Sequence, residues 1–448
     1  MLKLRSPVVI IGLGETGLAC LRFLKKMGVN VSVVDSRTTP PNLVEAQKDF
    51  PDVDIFCGSF ERPELLTAAT LIVSPGVSIH QDVFVKARDN GAEIIGDVEL
   101  FARSTSTPVI AITGSNGKTT VTQMVAELLQ AAGIQIVVGG NIGIPCLQLI
   151  SSQAIDLFVL ELSSFQLETT ASLNPKVATV LNISPDHLDR YQGMEEYQAT
   201  KLSIFKKDTI AIIPAEESWD LSEQKVVKTF ALKGTADYSV IEIDQQKWVT
   251  VAGEPWMATS ALQLFGKHNH LNVLAALALV DNVGVDLFGE NKKPMMQVLE
   301  NFKGLPHRCE VIAHKQGVLW VNDSKATNVA SARAAIESFA EQFSGKIILI
   351  AGGDSKKADL SSLQESLVNH VYKLITYGKD GDKIAALVSN QQSVSRVKDL
   401  PSAVIEAEKV ATIDGVVLLA PACSSLDMFS NYEDRGRCFT DAVEALAA

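Results

Sequence analysis

The stretch T-G-S-N-G-K-T-T at residues 113–120 constrains this chain more than any other. Before it lies the β-branched apolar run P-V-I-A-I (108–112). After it, Val121, Met124, Val125, Leu128 and Leu129 recur at helical spacing until Gly133 stops the pattern. Strand, glycine loop and helix are the setting of a phosphate-binding loop. Gly114 and Gly117 let the backbone N–H groups around Asn116 approach a polyphosphate, and the helix N-terminus adds favourable partial charge. Lys118 would sit on the β- and γ-phosphates, and the hydroxyl of Thr119 or Thr120 would ligate Mg²⁺. Ile112 occupies the place of the first glycine in G-x-x-x-x-G-K-T, so the loop is a shortened form. The implied ligand is ATP; a plain βα turn with a surface lysine is the alternative, which the two flanks disfavour.

A length of 448 residues allows about three domains. The net charge of −12 argues against a nucleic-acid footprint, though not against anionic small substrates. The six cysteines are dispersed without a C-x-x-C pair, which argues for a reducing compartment and against zinc. The start, M-L-K-L-R-S-P-V-V-I-I-G, runs directly into a strand, so no signal peptide is expected. No apolar run is long enough to span a bilayer, and a cytoplasmic protein that is not membrane-bound is expected.

The first segment, strand 8–11, leads into G-L-G-E-T-G, which places Gly12, Gly14 and Gly17 in a G-x-G-x-x-G pattern, and a second strand ends in Asp35. This βαβ unit fits a dinucleotide or, by the same geometry, the diphosphate of a nucleotide-sugar. Asp35, Ser36 and Arg37 offer ribose, base or phosphate contacts. Strand 71–73 ends in the turn Ser74-Pro75-Gly76, and such strand ends are where open α/β sheets bind ligands. A boundary falls near Gly96, which puts the phosphate loop after the fourth apolar strand.

In the second unit, G-G-N-I-G holds Asn141, and a strand ends in Glu161-Leu162-Ser163-Ser164, where the carboxylate can hold Mg²⁺ as a Walker-B acid does. A further strand leads to N-I-S-P-D-H-L-D-R, making His187 a candidate metal or substrate contact. Lys201, on helix 195–205, reads as a solvated helix lysine. Asn269 and Asn272, near the start of an Ala/Leu-rich helix, share one face. A second boundary falls at F-K-G-L-P (302–306), followed by His307 and Arg308. Strand 318–321 runs into N-D-S-K-A-T-N, whose polar density at a strand end reads as a site. The third unit has strands 347–350, 373–376 and 416–419, whose following turns would share one edge. A last helix begins at about Arg437.

Taken together, G-L-G-E-T-G, S-P-G-V, T-G-S-N-G-K-T-T, G-G-N-I-G, L-E-L-S-S-F-Q-L-E, D-H-L-D-R-Y, K-G-L-P-H-R, N-D-S-K-A-T-N, A-G-G-D-S-K and P-A-C-S-S-L-D resemble the Mur ligases, the ATP-dependent amide-forming enzymes of peptidoglycan assembly. The resemblance is strongest to the branch that adds D-glutamate to UDP-N-acetylmuramoyl-L-alanine. It implies an α/β chain of three domains: a Rossmann-like UDP-binding domain (1–96), a central P-loop ATPase-type parallel sheet (97–303) and a Rossmann-like amino-acid domain (304–448). It settles the first unit in favour of a uridine nucleotide, with Thr16, Asp35, Ser36, Arg37, Ser74, Gly76, Asn141, Ser163 and His187 toward the UDP-sugar substrate.

The resemblance also assigns Gly114, Asn116, Gly117, Lys118, Thr119, Thr120, Asn272, Arg308, Asp323 and Lys325 to the nucleotide. Thr119 and Glu161 go to one Mg²⁺, and His187 and Lys201 to a second. Lys201 matches a carbamylated lysine, whose anionic oxygens suit a cation that an ammonium would repel. Thr327, Lys356, Ser425, Leu426 and Tyr432 match the D-glutamate pocket, Tyr432 standing where the pattern has Phe. Lys118, Glu161, His187, Lys201 and Arg308 are the implied catalytic set, acting through an acyl phosphate, in a protein expected to be a monomer. The competing readings are a sister ligase for L-alanine, a diamino acid or a dipeptide; a folate polyglutamate ligase; a nicotinamide-dependent dehydrogenase fused to an ATPase; and an inactive binding module.

Overall fold

The computed structural model describes residues 3–150, 154–187, 190–264, 266–340, 343 and 346–446. Leu188 and Asp189 of the D-H-L-D-R-Y motif lie outside them. The N-terminal sheet comprises β1 (Val8–Ile11), β2 (Val31–Asp35), β3 (Ile55–Cys57), β4 (Thr70–Val73) and β5 (Glu93–Ile95), in parallel order β3-β2-β1-β4-β5. The order reverses between β1 and β4, which opens a crevice beyond their carboxyl ends. Gly12 and Ser74 line it, with the Ser74 hydroxyl donating to Gly12 O at 3.3 Å.

The second sheet holds β6 (Val109–Thr113), β7 (Ile136–Gly140), β8 (Leu157–Glu161), β9 (Val177–Val180), β10 (Ile210–Pro214), β11 (Val227–Ala231), β12 (Tyr238–Ile243), β13 (Gln246–Val251) and β14 (Glu254–Ala258). Its order is β14-β13-β12-β11-β10-β9-β6-β8-β7. The expected parallel sheet is present from β7 to β12, and beyond it β13 and β14 add an antiparallel extension, β12 with β13 and β13 with β14. Alternation in Y-S-V-I-E-I and Q-K-W-V-T-V, joined by a tight turn at Asp244 and Gln245 with positive φ, is the local cause. The phosphate loop follows the sixth strand rather than the fourth, because β3 and β5 span only three residues each and carry a weak signal. Helices Lys118–Ala131 and Lys267–Asn282 pack side by side over one face of this sheet through Met124, Leu128, Leu274 and Leu277.

The third sheet, β15 (Glu310–Lys315), β16 (Val318–Asn322), β17 (Ile347–Gly352), β18 (Val371–Tyr377), β19 (Val394–Arg396) and β20 (Val416–Leu419), runs β15-β16-β20-β17-β18-β19, parallel except at the β15 edge. The turns after β17 and β20 do share one edge, bridged at Asp354 and Ser424. The last helix is Tyr432–Glu444, starting five residues before the expected Arg437, since Asn431 caps it by accepting from the Asp434 N–H at 2.7 Å.

The first two sheets share one apolar core. Leu18, Leu21 and Leu24 from the N-terminal domain pack with Val98, Phe101, Cys146, Leu149, Phe158 and Leu160 from the middle domain. The C-terminal sheet buries separate clusters on its own two faces. At the head of the first helix, an added Cβ on Gly17 would lie 1.8 Å from Gly12 O. Alanine normally gains about 1 kcal/mol over glycine inside a helix; here the backbone contact outweighs that gain. Gly17→Ala is therefore expected to lower the thermal unfolding midpoint, and a midpoint raised by the propensity gain would show that the close approach is wrong.

Candidate active site

The carboxyl ends of β6, β8 and β9 supply the first layer of the site. The loop after β6 is held by the one after β9. Asn116 N donates to Asn182 Oδ1 at 2.8 Å and Asn182 Nδ2 returns to Asn116 O at 3.0 Å. The Ser115 hydroxyl donates to Ser184 O, accepts from Ser184 N, and lies 3.1 Å from the Tyr197 hydroxyl. Gly114 and Gly117 both have positive φ, and a Cβ on Gly117 would stand 2.7 Å from Asn272 Oδ1. Asn272, on helix Lys267–Asn282, thus backs the loop and in turn donates to Asn269 Oδ1 at 3.0 Å. Of the two threonines, Thr120 is buried, whereas Thr119 is partly exposed.

Lys118 Nζ donates to Gly114 O and Ser115 O at 2.9 and 3.0 Å. Lys201 Nζ reaches the same Gly114 carbonyl at 3.0 Å and lies 4.8 Å from the Tyr197 ring centroid. The reading of Lys201 as a solvated lysine is corrected: it is 2 % exposed. Burial, with Lys118 close by, brings its ammonium down to about 7. Burial also lowers Lys118, and Arg308 adds to the effect. Burial lowers His187 as well, and the charges of Lys356, Lys118 and Lys201 reinforce this against the pull of Asp186. A neutral imidazole keeps a lone pair for a cation or a proton. The His187 ring packs edge-on against Phe165, 4.7 Å between centroids.

Glu161, at the end of β8, accepts from Asn141 Nδ2 through Oε1 at 2.9 Å. Its Oε2 is buried and finds no hydrogen-bond partner. Such an orphaned carboxylate oxygen is costly unless a cation completes it. Among the described residues no cluster of three or more His, Cys, Asp or Glu side chains could hold a metal by itself. Magnesium does not need one: one or two protein oxygens plus substrate phosphates suffice. Glu161 Oε2 and the Thr119 hydroxyl fit that pattern.

The C-terminal domain closes on this layer through polar contacts. Arg308 Nη2 donates to Thr119 Oγ1 at 2.6 Å. The Ser331 hydroxyl donates to Asn116 Oδ1 at 2.6 Å. Lys325 Nζ lies 3.8 Å from the Tyr432 ring centroid, and burial beside Arg308 and Lys118 brings it down to about 8. Asp323 accepts from Cys309 N at 3.2 Å, and burial pushes its carboxyl up to about 6. Lys356 stands exposed on the turn after β17, where both Lys356 and Lys357 have positive φ. Asp380 braces that turn by accepting from Ser355 N and Oγ at 2.8 and 2.7 Å. Ser425 is buried and Leu426 exposed on the turn after β20, and Thr327 N folds back on Lys325 O at 2.7 Å.

In the N-terminal crevice, Thr16, Ser36 and Gly76 are at least partly exposed around the strand ends. Asp35, expected toward the UDP-sugar, is already engaged within the protein. It is 1 % exposed; Leu13 N donates to its Oδ2 at 2.7 Å, and Arg37 N and Nε to its Oδ1 at 2.8 and 2.9 Å. Ser163 is likewise engaged, as the cap of the short helix Ser164–Leu167. Sequence reasoning missed Asn182, Ser184, Tyr197 and Ser331, which hold the loop together with Asn328 of the N-D-S-K-A-T-N run. The N-I-S-P run after β9 is the one signal that could have pointed to two of them.

Residues 6–96 match the Mur ligase MurD-like N-terminal domain, 112–280 the Mur ligase middle domain, and 307–423 the Mur ligase glutamate ligase domain. The chain is 43% identical over 456 residues to a UDP-N-acetylmuramoylalanine–D-glutamate ligase of Shewanella violacea, covering 100% of this chain and 97% of that protein. It is 41% identical over 446 residues to the protein of the same name from Pseudomonas aeruginosa, covering 98% of each. In fold it is similar to the MurF ligase of Thermotoga maritima solved in complex with ADP, with a TM-score of 0.62 at 18% identity over 98% of this chain and 95% of that one.

Asp323 gives a pH-dependent test. Its folded-state value of about 6 exceeds the ordinary 3.8, so the folded form holds the proton more tightly than the unfolded chain. Ionisation therefore costs stability as pH rises through that window, and the cost is complete above it. Asp323→Asn keeps an acceptor for Cys309 N and removes the cost. It is expected to stabilise the protein at pH 7.5, by up to about 3 kcal/mol, with the gain vanishing near pH 4. Denaturant unfolding at the two pH values checks this; equal effects at both would show that burial does not hold the proton there.

Proposed function

This chain belongs to the Mur ligase family, and from that premise we propose that it joins D-glutamate to UDP-N-acetylmuramoyl-L-alanine at the expense of ATP. The observation that carries the reading is the meeting of Lys118, Lys201, Glu161, Arg308 and Lys325, from two domains, at one phosphate loop. The relatives' names, over nearly the full length of both chains, support the choice of amino acid.

In this reading the alanyl carboxylate oxygen attacks the γ-phosphorus, the bond to the β-phosphate oxygen breaks, and ADP leaves. The glutamate nitrogen, having lost a proton, then attacks the acyl carbon, the carbon–oxygen bond to phosphate breaks, and inorganic phosphate leaves. Lys118 and Arg308 offset charge on the transferring phosphoryl oxygens, the kind of preorganised electrostatic help that dominates phosphoryl transfer. Thr119 and Glu161 would hold one Mg²⁺, and His187 and a carbamylated Lys201 a second; bound there, the ions neutralise phosphate charge. A carbamate forms from a neutral amine. The lowering of Lys201 to about 7 supports that chemistry, since a large neutral fraction then exists near neutral pH. Asn272, Asp323 and Lys325 face the nucleotide. Lys356, Thr327, Ser425 and Tyr432 face D-glutamate, and Ser36, Arg37, Gly76 and Asn141 the UDP-sugar. The protein works as a soluble monomer in the cytoplasm, without nucleic acid; no helix among the described residues is long and apolar enough to cross a membrane.

The test is phosphate release with UDP-N-acetylmuramoyl-L-alanine and ATP while candidate amino acids are offered in turn. Release is expected with D-glutamate; release with L-alanine or a diamino acid instead would move the chain to a sister activity. Lys201→Ala is expected to lose most turnover and to regain part of it in acetate, which supplies the missing carboxylate oxygens; undiminished turnover without acetate would reject the carbamate. Lys356→Ala is expected to raise KM for D-glutamate roughly tenfold, the loss of one charge-assisted carboxylate contact, with KM for ATP little changed. An equal rise in both would remove Lys356 from the pocket.

A further inference from the structure

Arg190 belongs to the middle domain, just past β9, yet its guanidinium holds the N-terminal domain. Nη1 donates to Pro75 O at 2.8 Å and Nη2 to Val77 O at 3.2 Å. These two carbonyls flank Gly76 on the turn after β4, the turn that faces the substrate crevice. Nη2 also pairs with Glu168, and both side chains are more than nine-tenths buried. Glu168 in turn lies 3.4 Å from His80 Nε2 of the N-terminal domain. The guanidinium carbon lies over the Phe165 ring, 4.3 Å from its centroid, and the same ring packs against His187. Arg190 Nε is buried and finds no acceptor among the described residues.

These contacts form one continuous path: the turn at 75–77, the guanidinium, Phe165, His187. We propose that Arg190 is a positioning residue that sets the UDP-sugar turn of the N-terminal domain in register with the acyl-transfer centre of the middle domain. The chemistry requires such a link. The nucleotide-sugar is held in one domain, and its alanyl carboxylate must meet the γ-phosphate in another. A misplacement of about 1 Å costs a reacting pair much of its rate. Arginine suits the task because its planar fork takes two carbonyls and a carboxylate in fixed directions while its face stacks on a ring; lysine, a point charge on a flexible stem, does none of this together.

The inference rests on the proposed reaction, and its test separates the two. Steady-state kinetics are measured on the full-length enzyme with each of the three substrates varied. Arg190→Lys keeps a cation beside Glu168 and loses the fork. KM for UDP-N-acetylmuramoyl-L-alanine is expected to rise roughly tenfold or more, with KM for ATP within about twofold of wild type. Arg190→Ala is expected to show the same split more strongly, and added ethylguanidinium to restore part of the lost kcat/KM. Glu168→Gln, which frees the guanidinium without removing it, gives a milder rise and serves if the arginine variants do not fold. A folded Arg190→Lys whose three KM values are unchanged, or rise alike, overturns the proposal. Wild-type protein that releases no phosphate with these substrates overturns the parent reading instead.

Discussion

A surplus of positive charge gathered in a site half-shielded from water governs this molecule. Lys118, Lys201, Lys325 and Arg308 crowd around a single phosphate loop; burial first, and the neighbouring positive charges second, lower Lys201 and Lys325. The nearby carboxylates Glu161 and Asp186 offset part of it. Like charges at such range repel strongly where water is scarce. The arrangement costs folding stability and persists because β6, β8 and β9 fix the loop ends and because Gly114 O and Ser115 O accept from the ammoniums. A magnesium-bound triphosphate is the chemical class that complements it, with several negative charges spread over a few ångströms.

How the domains are joined follows from which contacts are apolar. The N-terminal and middle sheets share a core through Phe101, Phe158, Leu21 and Leu149. Separating them would expose a large apolar area, at about 25 cal/mol per Å². Glu99, on the helix just past the boundary near Gly96, is fixed within the middle domain by accepting from Ala171 N and Ser172 N, both at 2.7 Å. The C-terminal domain meets the site differently, through Arg308 to Thr119 and Ser331 to Asn116. Water can replace such hydrogen bonds at a net cost of about 1 kcal/mol each. The first two domains are therefore joined by a shared apolar core, and the third meets the site through polar contacts. That division suits a reaction whose activated acyl group must be kept from water while the amine arrives.

The sequence made the strand–loop–helix units legible, since their signal is local: apolar runs, glycine turns and helical spacing. What escaped was set by partners far along the chain. Lys201 looks like any helix lysine until the helix Met194–Leu202 is docked beside Gly114, a residue 87 positions away. Tyr197, one turn earlier, gives no sign that its hydroxyl will meet Ser115. Arg190 sits in a polar loop whose composition suggests solvent, yet it is buried by residues 22 and 115 positions distant. The antiparallel extension β12–β14 was overlooked for another reason: no motif marks it, and its role is packing on helix Lys267–Asn282 through Val249, Val251 and Trp256.

Asp35 shows how a correct pattern can still mislead about chemistry. A glycine-rich turn followed some twenty residues later by an acid at the end of β2 is the signature of ribose recognition, in which the carboxylate takes the hydroxyls of a dinucleotide. Here the acid looks inward. Its oxygens take the Leu13 N–H, the Arg37 N–H and the Arg37 guanidinium, and its carboxyl lies below the usual range, burial being outweighed by the Arg37 and Leu13 bonds. To reach a ribose it would have to abandon charge-assisted bonds that are stronger than those a neutral hydroxyl could offer in exchange. Its effect is instead to lock the glycine turn after β1 and to hold Arg37 at the crevice mouth, half exposed. A cation presented there suits a phosphate group of a nucleotide, which a dinucleotide could also supply; the dehydrogenase reading fails instead on the three Mur ligase domains and the relatives matched over nearly the full length of both chains.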